Sequence, residues 1–377
     1  MARNDEKITS NQLVAIMISL IIGIGILSLP REVTEEAGPD GWALIIIGGI
    51  VSTIVAFIIT RLGDLFPGQS VVEYSKTLLT TPLGILYSLG FILYFLFFCA
   101  FEVRVFAEVL KQFLLDRTPT EVIAATFLLT SAYMVRQGVA SMGRMAELLV
   151  PAIIIPYFLF LLPAVGQMKY DNLLPVLRTS PLKLLSGAAV VTTSYLGFEL
   201  ALLLQVYMKR PKDAGKAMLI AMPLIMVFYL AVVISTVSVL GIHEVKKIIW
   251  PSLAIFRLIK VPGAFLENIH GFIMSIWVVS IFMTLSGFYY GAVLTLSRML
   301  KLKDHSLLVL PLAPVIYFFS LVPDNVAKVY DFLDMFSMYL GIPFGFIFPV
   351  GLYVLAKLRG IKPKEGKDVE KPAAKND

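Results

Sequence analysis

The sequence predicts an all-α membrane protein of about ten transmembrane helices, arranged as a 5+5 inverted repeat in which helices 1 and 6 are broken. Of its 377 residues, 58% are hydrophobic and only 15% are charged, whereas soluble domains have about 45–50% apolar and about 25% charged residues. Apolar segments of about 20 residues, long enough to cross a bilayer, recur along the chain. Two of these segments, five apart in order, are interrupted by glycine and polar residues.

The predicted spans are bounded by charged residues, proline or glycine. Because lipid offers the backbone no hydrogen-bond partners, each span must be a helix. In order, spans 1 to 10 cover residues 10–30, 41–60, 82–110, 120–136, 144–163, 183–207, 217–241, 269–297, 306–322 and 337–357. They predict one transmembrane domain, residues 1–360, with repeat one at about 10–163 and repeat two at about 183–357. The segment 242–268 favours a short amphipathic helix at the membrane surface, and the Lys-rich tail 361–377 is predicted to be disordered.

The charged residues indicate a topology and argue against several functions. The formal net charge is +6, and the bases lie mostly between the apolar segments. More of them lie inside if the N-terminus is cytoplasmic, so both termini are predicted to be cytoplasmic, and the charge requires no nucleic-acid partner. Cys99 is the only cysteine, and the three histidines have no metal-ligand spacing. We therefore expect no disulfide, no metal, no cofactor and no enzyme activity.

Span 1 contains Gly23, Ile24, Gly25 and Ile26 and ends at Pro30. Two glycines at i and i+2 do not line one helical face, so they are not a small-xxx-small packing motif. They favour a break in the helix, and its freed backbone groups are tolerable only beside a cavity. The half-helix that restarts there would present N–H groups and a positive dipole end to a carboxylate. Ordinary helix packing with a proline exit is the alternative.

Span 6 combines hydroxyls, a glycine and an acid in an otherwise apolar segment. These residues are Thr193, Ser194, Tyr195, Gly197, Phe198 and Glu199. A carboxyl within a span should face a cavity or a partner, and an interhelical hydrogen bond is the alternative role for Glu199. Glycine-interrupted segments at corresponding positions of two halves indicate a transporter binding site. Because span 6 follows span 1 by five positions, an odd number, the second half is inverted. Together the two interruptions predict a small-molecule site at the membrane midplane.

Spans 3 and 8 contain further polar residues. Arg104 and Glu108 in span 3 are at i and i+4 and can pair on one face, which we expect to be a structural ion pair. In span 8, Ser280 and Thr284 share a face and either reach the cavity or bond back to their own helix. Trp277 either lines the site or only packs against its neighbours.

At these residues the chain resembles the amino acid–polyamine–organocation transporter superfamily. Residues 23–27 are similar to the Gly-x-Gly-Ile-Phe motif of its first span, with Leu27 in place of phenylalanine, and residues 196–199 are similar to its broken sixth span. Within that superfamily the chain looks most like the B subunit of spore germinant receptors. Short motifs in the same order carry this closer resemblance, at 23–31, 41–42, 67–68, 73–74, 104–110, 172–176, 197–199 and 262–267.

The resemblance implies a leucine-transporter-type fold and a nutrient sensor. Such a subunit binds a small germinant, often an L-amino acid, in the spore inner membrane, together with a membrane A subunit and a lipoprotein C subunit. The backbone of 23–26 would meet the ligand carboxylate. Residues 193–195, 197 and 198 would surround its amino group and side chain, while Glu199 would bond to span 1 or couple a proton.

One departure from the resemblance bears on the mechanism. Some proton-coupled relatives place a lysine deep in span 5, and none is evident there in this chain. The departure puts lysine-based proton coupling in doubt and fits a sensor better than a concentrating pump. The alternative function is an amino-acid transporter, a permease coupled to protons or sodium that works by alternating access.

Overall fold

The computed structural model describes residues 7–23, 25–258 and 269–362. The α-helices in this part of the chain are α1 (Ser10–Ile21), α2 (Gly25–Ala37), α3 (Gly41–Leu65), α4 (Val71–Leu78), α5 (Thr81–Phe113), α6 (Thr120–Arg136), α7 (Val139–Leu161), α8 (Pro181–Thr192), α9 (Ala201–Leu204), α10 (Ala214–Leu240), α11 (Ile242–Lys247), α12 (Pro251–Leu258), α13 (Ile269–Met299), α14 (Val309–Leu321), α15 (Val326–Phe336) and α16 (Phe348–Leu358). Short 3₁₀ turns interrupt span 6 at Thr193–Tyr195, Phe198–Leu200 and Gln205–Tyr207. Two π-helical segments, Ser337–Gly341 and Pro343–Ile347, lie between α15 and α16.

Each of the ten predicted spans coincides with a helical segment, which confirms the all-α membrane fold. Span 1 is α1 with α2, span 2 is α3, and spans 3, 4 and 5 are α5, α6 and α7; span 6 begins with α8, spans 7, 8 and 9 are α10, α13 and α14, and span 10 runs from α15 to α16. Among the described residues, six helices are long and apolar enough to cross a bilayer, and the bent pair in span 6 makes a seventh. The protein is therefore an integral membrane protein.

Two regions carry predictions that lie partly outside the described residues. In the segment 242–268, α11 and α12 are helical, whereas 259–268 lies outside the described part. The predicted disordered tail also lies almost entirely outside it, from residue 363 onward. The surface helix, the tail and the extents of the domain and its repeats stay predictions.

Span 1 is interrupted at the paired glycines. α1 ends at Ile21, the Gly23 N–H donates to Ile21 O at 2.9 Å, and α2 begins at Gly25. A Cβ atom at Gly23 would collide with the Thr284 side chain of α13. Glycine is therefore what allows span 8 to pack closely against this break.

Span 6 is also interrupted, with a bend of 54° between its two halves. Gly197 has a φ of +124°, a backbone conformation that residues with a side chain rarely adopt. A Cβ atom at this position would also collide with Leu20 of α1. Glycine thus satisfies two requirements at once, the backbone turn and the close contact with span 1.

The central position of span 1 places its break inside the bundle. α1 packs against α7, α10 and α13, and its side chains from Leu13 to Ile21 are buried apart from partly buried Val14. The outer helices instead expose apolar side chains, such as Leu86, Leu129 and Phe318. This arrangement, polar interruptions at the centre and apolar side chains outside, suits a protein surrounded by lipid.

The start of span 1 is tied to the end of span 6. The Ile8 N–H donates to Tyr207 O at 2.9 Å, and the Lys209 N–H donates to Ile8 O at 2.8 Å. Close by, the Arg298 guanidinium of α13 lies 3.1 Å from Glu73 and 5.2 Å from the centre of the Tyr207 ring. These contacts join spans 1, 6 and 8 at one end of the bundle, away from the two breaks.

Candidate functional site

A cavity of about 510 Å³ lies beside both breaks. Its volume falls within the range of about 300–1,000 Å³ that small-molecule sites occupy. Of the residues predicted from the sequence, Gly23, Gly25, Thr193, Ser194 and Thr284 line it. The remaining lining residues are Leu20, Ile21, Ser28, Glu32, Glu35, Glu36, Phe98, Phe101, Glu102, Ala189, Val190, Leu196, Phe288, Leu333, Asp334, Ser337, Met338 and Ile342. The structure thus brings parts of spans 1, 3, 6, 8 and 10 around one space.

Gly25 lies on the open side of the break in span 1. The nearest atom to a Cβ built at Gly25 is the Ser194 carbonyl oxygen, 3.8 Å away, which is an ordinary contact distance. α2 begins at this residue, and the first N–H groups of a helix have no partner within the helix. Together with the positive end of the helix dipole, they favour an anionic group such as a carboxylate.

The hydroxyl of Tyr229, on α10, bridges the two breaks. It lies 2.7 Å from Ile21 O in span 1 and 3.0 Å from Ser194 O in span 6. Both oxygens are carbonyls that the interruptions leave without a regular helical partner. Sequence reasoning missed Tyr229 because span 7 carries no break of its own, and a tyrosine in an apolar helix normally only packs.

Span 8 supplies two more hydroxyls to the break in span 1. The Ser280 hydroxyl donates to Ile22 O, and the Thr284 hydroxyl lies 3.3 Å from Ser19 O and 3.4 Å from Ser280 O. Of the two predicted roles, bonding back to the helix and reaching the break, Thr284 has both. Ser280 holds a freed carbonyl of span 1.

Glu199 bonds within its own interruption and to span 3. One carboxylate oxygen accepts from the Gly197 N–H at 2.8 Å, and the other accepts from the Tyr94 hydroxyl at 2.5 Å. The side chain is fully buried. The carboxylate therefore fills the gap that the bend leaves in the backbone hydrogen bonding of span 6.

Four predicted residues of span 6 do not line the large cavity, namely Tyr195, Gly197, Phe198 and Glu199. The Tyr195 hydroxyl donates to Ile45 O of α3 at 2.9 Å. Phe198 is fully buried and packs edge-on against Phe346, with ring centres 5.1 Å apart. Neither residue lines the cavity, so in this conformation both position the interruption instead of facing a ligand.

A smaller cavity of about 50 Å³ lies on another side of span 1. Ile26, Trp277 and Ser280 line this cavity and not the large one. The Trp277 indole Nε1 has no hydrogen-bond partner, and the ring stacks on Phe106 with centres 5.8 Å apart. Ile24, the remaining predicted ligand-binding residue, lies outside the described residues.

The ion pair of span 3 is present and lies outside the large cavity. Arg104 Nε is 2.9 Å from Glu108 Oε1. The same guanidinium reaches Ser320 O of α14 at 3.5 Å. The pair therefore contributes to the contact between spans 3 and 9.

Acidic residues are the main feature of the cavity that sequence reasoning missed. Glu32, Glu35 and Glu36 of α2, Glu102 of α5 and Asp334 of α15 all line it. Glu102 is an acid inside an apolar span, which is itself a signal of a cavity or a partner. The three acids of α2 lie beyond the predicted end of span 1, where the sequence predicts a charged loop. Within the described part of the chain, these acids do not form a cluster suited to a metal ion.

Two broken helices around a central cavity define this class of protein as a transporter-type membrane fold, and solved structures share it. The structure of MhsT in complex with L-phenylalanine matches with a TM-score of 0.70 at 13% identity, covering 93% of this chain and 89% of that one. A substrate-bound, outward-open Na⁺-coupled sialic acid symporter matches with a TM-score of 0.68 at 13% identity, covering 94% and 79%. At such low identity these likenesses establish the leucine-transporter-type fold alone.

The sequence comparison is more specific. The family model described as spore germination protein matches residues 7–329, and the chain belongs to this family. Spore germination protein YndE of Bacillus subtilis is 34% identical, over 94% of this chain and 97% of that protein. Spore germination protein A2 of the same organism is 29% identical, over 94% and 96%. GerLB of Bacillus cereus is 27% identical, over 96% of each chain.

Proposed function

We propose that this protein is the nutrient-sensing subunit of a bacterial spore germinant receptor, and that it binds a small amino-acid-like germinant between the breaks of spans 1 and 6. The single observation that carries the proposal is the cavity of about 510 Å³ where the two breaks meet. Membership of the spore germination protein family supplies the biological setting. The family is not one of enzymes, which accords with the expected absence of catalysis.

The geometry of the breaks supports a ligand with a carboxylate and an amino group. The open start of α2 at Gly25 suits the carboxylate, and the Ser194 hydroxyl, which lines the same cavity, suits an amino group. If the helices close around such a ligand, the closed state binds it more tightly than the open state. Ligand binding then shifts the population toward the closed state. A change of population of this kind is what a sensor needs.

The hydrogen bonds at the break favour a sensor over a sodium-coupled permease. In secondary transporters, the carbonyls of unwound helices coordinate the coupling ion. Here the carbonyls of Ser19, Ile21 and Ile22 already accept hydrogen bonds from side-chain hydroxyls of spans 7 and 8. Each of these oxygens therefore already has a hydroxyl partner within the protein, which leaves it less available to an ion.

The remaining features of the proposal concern the complex. We place the protein in the inner membrane of the spore with both termini in the cytoplasm. Its partners are the receptor's A subunit and lipoprotein C subunit, which would receive the signal of ligand binding. Co-purification of all three subunits after mild detergent extraction tests this arrangement.

Ligand binding is tested by thermal unfolding of the purified chain with a panel of L-amino acids. A ligand concentration of 100 times Kd raises the free energy of unfolding by about 2.7 kcal/mol. Gly25→Leu should fill the cavity and abolish the shift, whereas Gly351→Leu, in open space on α16, should retain it. An undiminished shift in the Gly25 variant would place the ligand elsewhere.

Uptake by liposomes that contain the purified chain separates the sensor from the alternative, an amino-acid transporter. We expect the amino acid that shifts the melting temperature to show no accumulation under a sodium or proton gradient. Robust accumulation driven by either gradient would instead establish a permease that works by alternating access.

A further inference from the structure

The charge of the cavity is strongly one-sided. Five acidic residues line it, and the described residues of the lining include no lysine, arginine or histidine. Arg31 compensates part of this charge, since its Nε lies 2.8 Å from Glu35. The other four acids form no salt bridge within the described part of the chain. They are Glu32 and Glu36 of span 1, Glu102 of span 3 and Asp334 of span 10. An acid-lined cleft with low-dielectric walls concentrates cations.

Glu102 provides a second and independent observation. Only 4% of this residue is exposed, it lines the cavity, and its Oε2 has no hydrogen-bond partner. A buried carboxylate oxygen without a donor is unfavourable, because nothing replaces the water it has lost. A ligand that brings a positively charged donor into the cavity would satisfy this oxygen.

The acids of α2 extend the negative surface away from the break. Gly25, Ser28, Glu32 and Glu36 all line the cavity and recur at the spacing of one helical face. Glu32 lies 3.5 Å from the Ser194 hydroxyl, beside the break itself. The distance along α2 from Gly25 to Glu36 is roughly 16 Å at 1.5 Å per residue. The cavity thus offers carboxylates at several depths.

The apolar part of the lining favours an organic cation over an inorganic one. Phe98, Phe101 and Phe288 line the same space as Glu102. Aromatic faces attract alkylammonium groups and pack against their methylene chains. A bare metal ion would need several oxygen ligands close together, and the described acids do not form such a cluster.

We propose that the germinant is a small organic cation with net positive charge, an amino acid with a basic side chain or a related amine, whose ammonium group meets Glu102 and Glu32. This inference rests on the proposed function, since it uses the same cavity. It adds the charge of the ligand, which neither the family nor the fold indicates.

The test compares probes that differ in net charge. Purified full-length chain is titrated with L-lysine, with L-norleucine, which has the same carbon chain but lacks the ε-ammonium group, and with L-glutamate. We expect L-lysine to bind at least 10-fold more tightly than L-norleucine, L-glutamate not to bind, and the lysine affinity to fall as salt rises. Equal affinity for L-lysine and L-norleucine would overturn the charge inference while supporting the proposed function.

Two variants assign the effect to residues. Glu102→Gln and Glu32→Gln should each weaken the binding of L-lysine about 10-fold. Neither substitution should change the affinity for L-norleucine by a comparable factor. Glu244→Gln, on α11 and outside the cavity, is the matched control. Unchanged lysine affinity in both cavity variants would overturn the inference. The inference would also fail if NaCl, KCl or CaCl₂ raised the melting temperature of the protein as much as L-lysine does at matched ionic strength. If no amino acid of any charge binds, the proposed function fails together with the inference.

Discussion

In span 6, the N–H of Gly197 donates to the carboxylate of Glu199, two residues further along the same segment. In span 1, by contrast, the carbonyls at the break accept from hydroxyls that belong to spans 7 and 8, on Tyr229, Ser280 and Thr284. The bend of span 6 is thus closed by a side chain of its own, although Tyr94 and Tyr229 also contact this segment. The break in span 1 depends mainly on hydroxyls of neighbouring helices. We therefore expect span 6 to keep its shape, whereas the break in span 1 responds when the surrounding helices move.

The largest effect is expected for Gly197→Ala. Its φ of +124° is strained for alanine, and the added Cβ collides with Leu20, so the free energy of unfolding should fall by about 3–5 kcal/mol. Thermal unfolding in detergent measures the change. Gly351→Ala, where an added Cβ meets open space, should be neutral or slightly stabilising. Equal stability of the two variants would show that the bend of span 6 does not need glycine.

The two glycines of span 1 should differ from each other. An added Cβ at Gly23 collides with Thr284, whereas at Gly25 its nearest contact is at 3.8 Å. Gly23→Ala should therefore cost about 1–3 kcal/mol through overpacking, and Gly25→Ala should leave the melting temperature nearly unchanged. A similar loss in both variants would mean that the break itself, and not the approach of span 8, requires glycine.

Removal of the hydroxyl that joins the two breaks should have an intermediate effect. Tyr229→Phe leaves Ile21 O and Ser194 O without this donor, which should cost about 1–2 kcal/mol and change the ligand affinity. Tyr133→Phe, at a tyrosine that is 69% exposed, controls for the loss of a hydroxyl alone. If Tyr229→Phe behaves like this control in both unfolding and ligand titration, the break in span 1 does not depend on span 7.

The smallest effect is expected for Glu199→Gln. The glutamine oxygen can still accept from the Gly197 N–H, and its amide can donate to the Tyr94 oxygen, so the free energy of unfolding should change by less than about 1 kcal/mol. Glu199→Leu leaves the Gly197 N–H unsatisfied and should cost about 1–3 kcal/mol. The pH dependence of the ligand-induced melting shift tests for a proton role. An altered profile in the glutamine variant would show that Glu199 titrates during the response.

Part of the site followed from local sequence signals and part did not. Gly23, Gly25, Thr193 and Ser194 stand out because glycine and hydroxyl residues interrupt long apolar segments, and all four line the cavity. For Trp277 the sequence leaves both lining and packing open, and the side chain lies at the smaller cavity and stacks on Phe106. The direction in which a side chain of span 8 points depends on the rotation of the whole helix, and an apolar helix contains no local signal of that rotation.

The sequence by itself determined that the chain is a membrane protein of about ten helices and where two of them break. The reason is that lipid forces each apolar segment into a helix, and glycine weakens that helix locally. Only the tertiary structure decided that Tyr229 joins the breaks and that Glu32, Glu102 and Asp334 face one cavity. These residues lie far apart in the chain, and their proximity depends on how the helices pack.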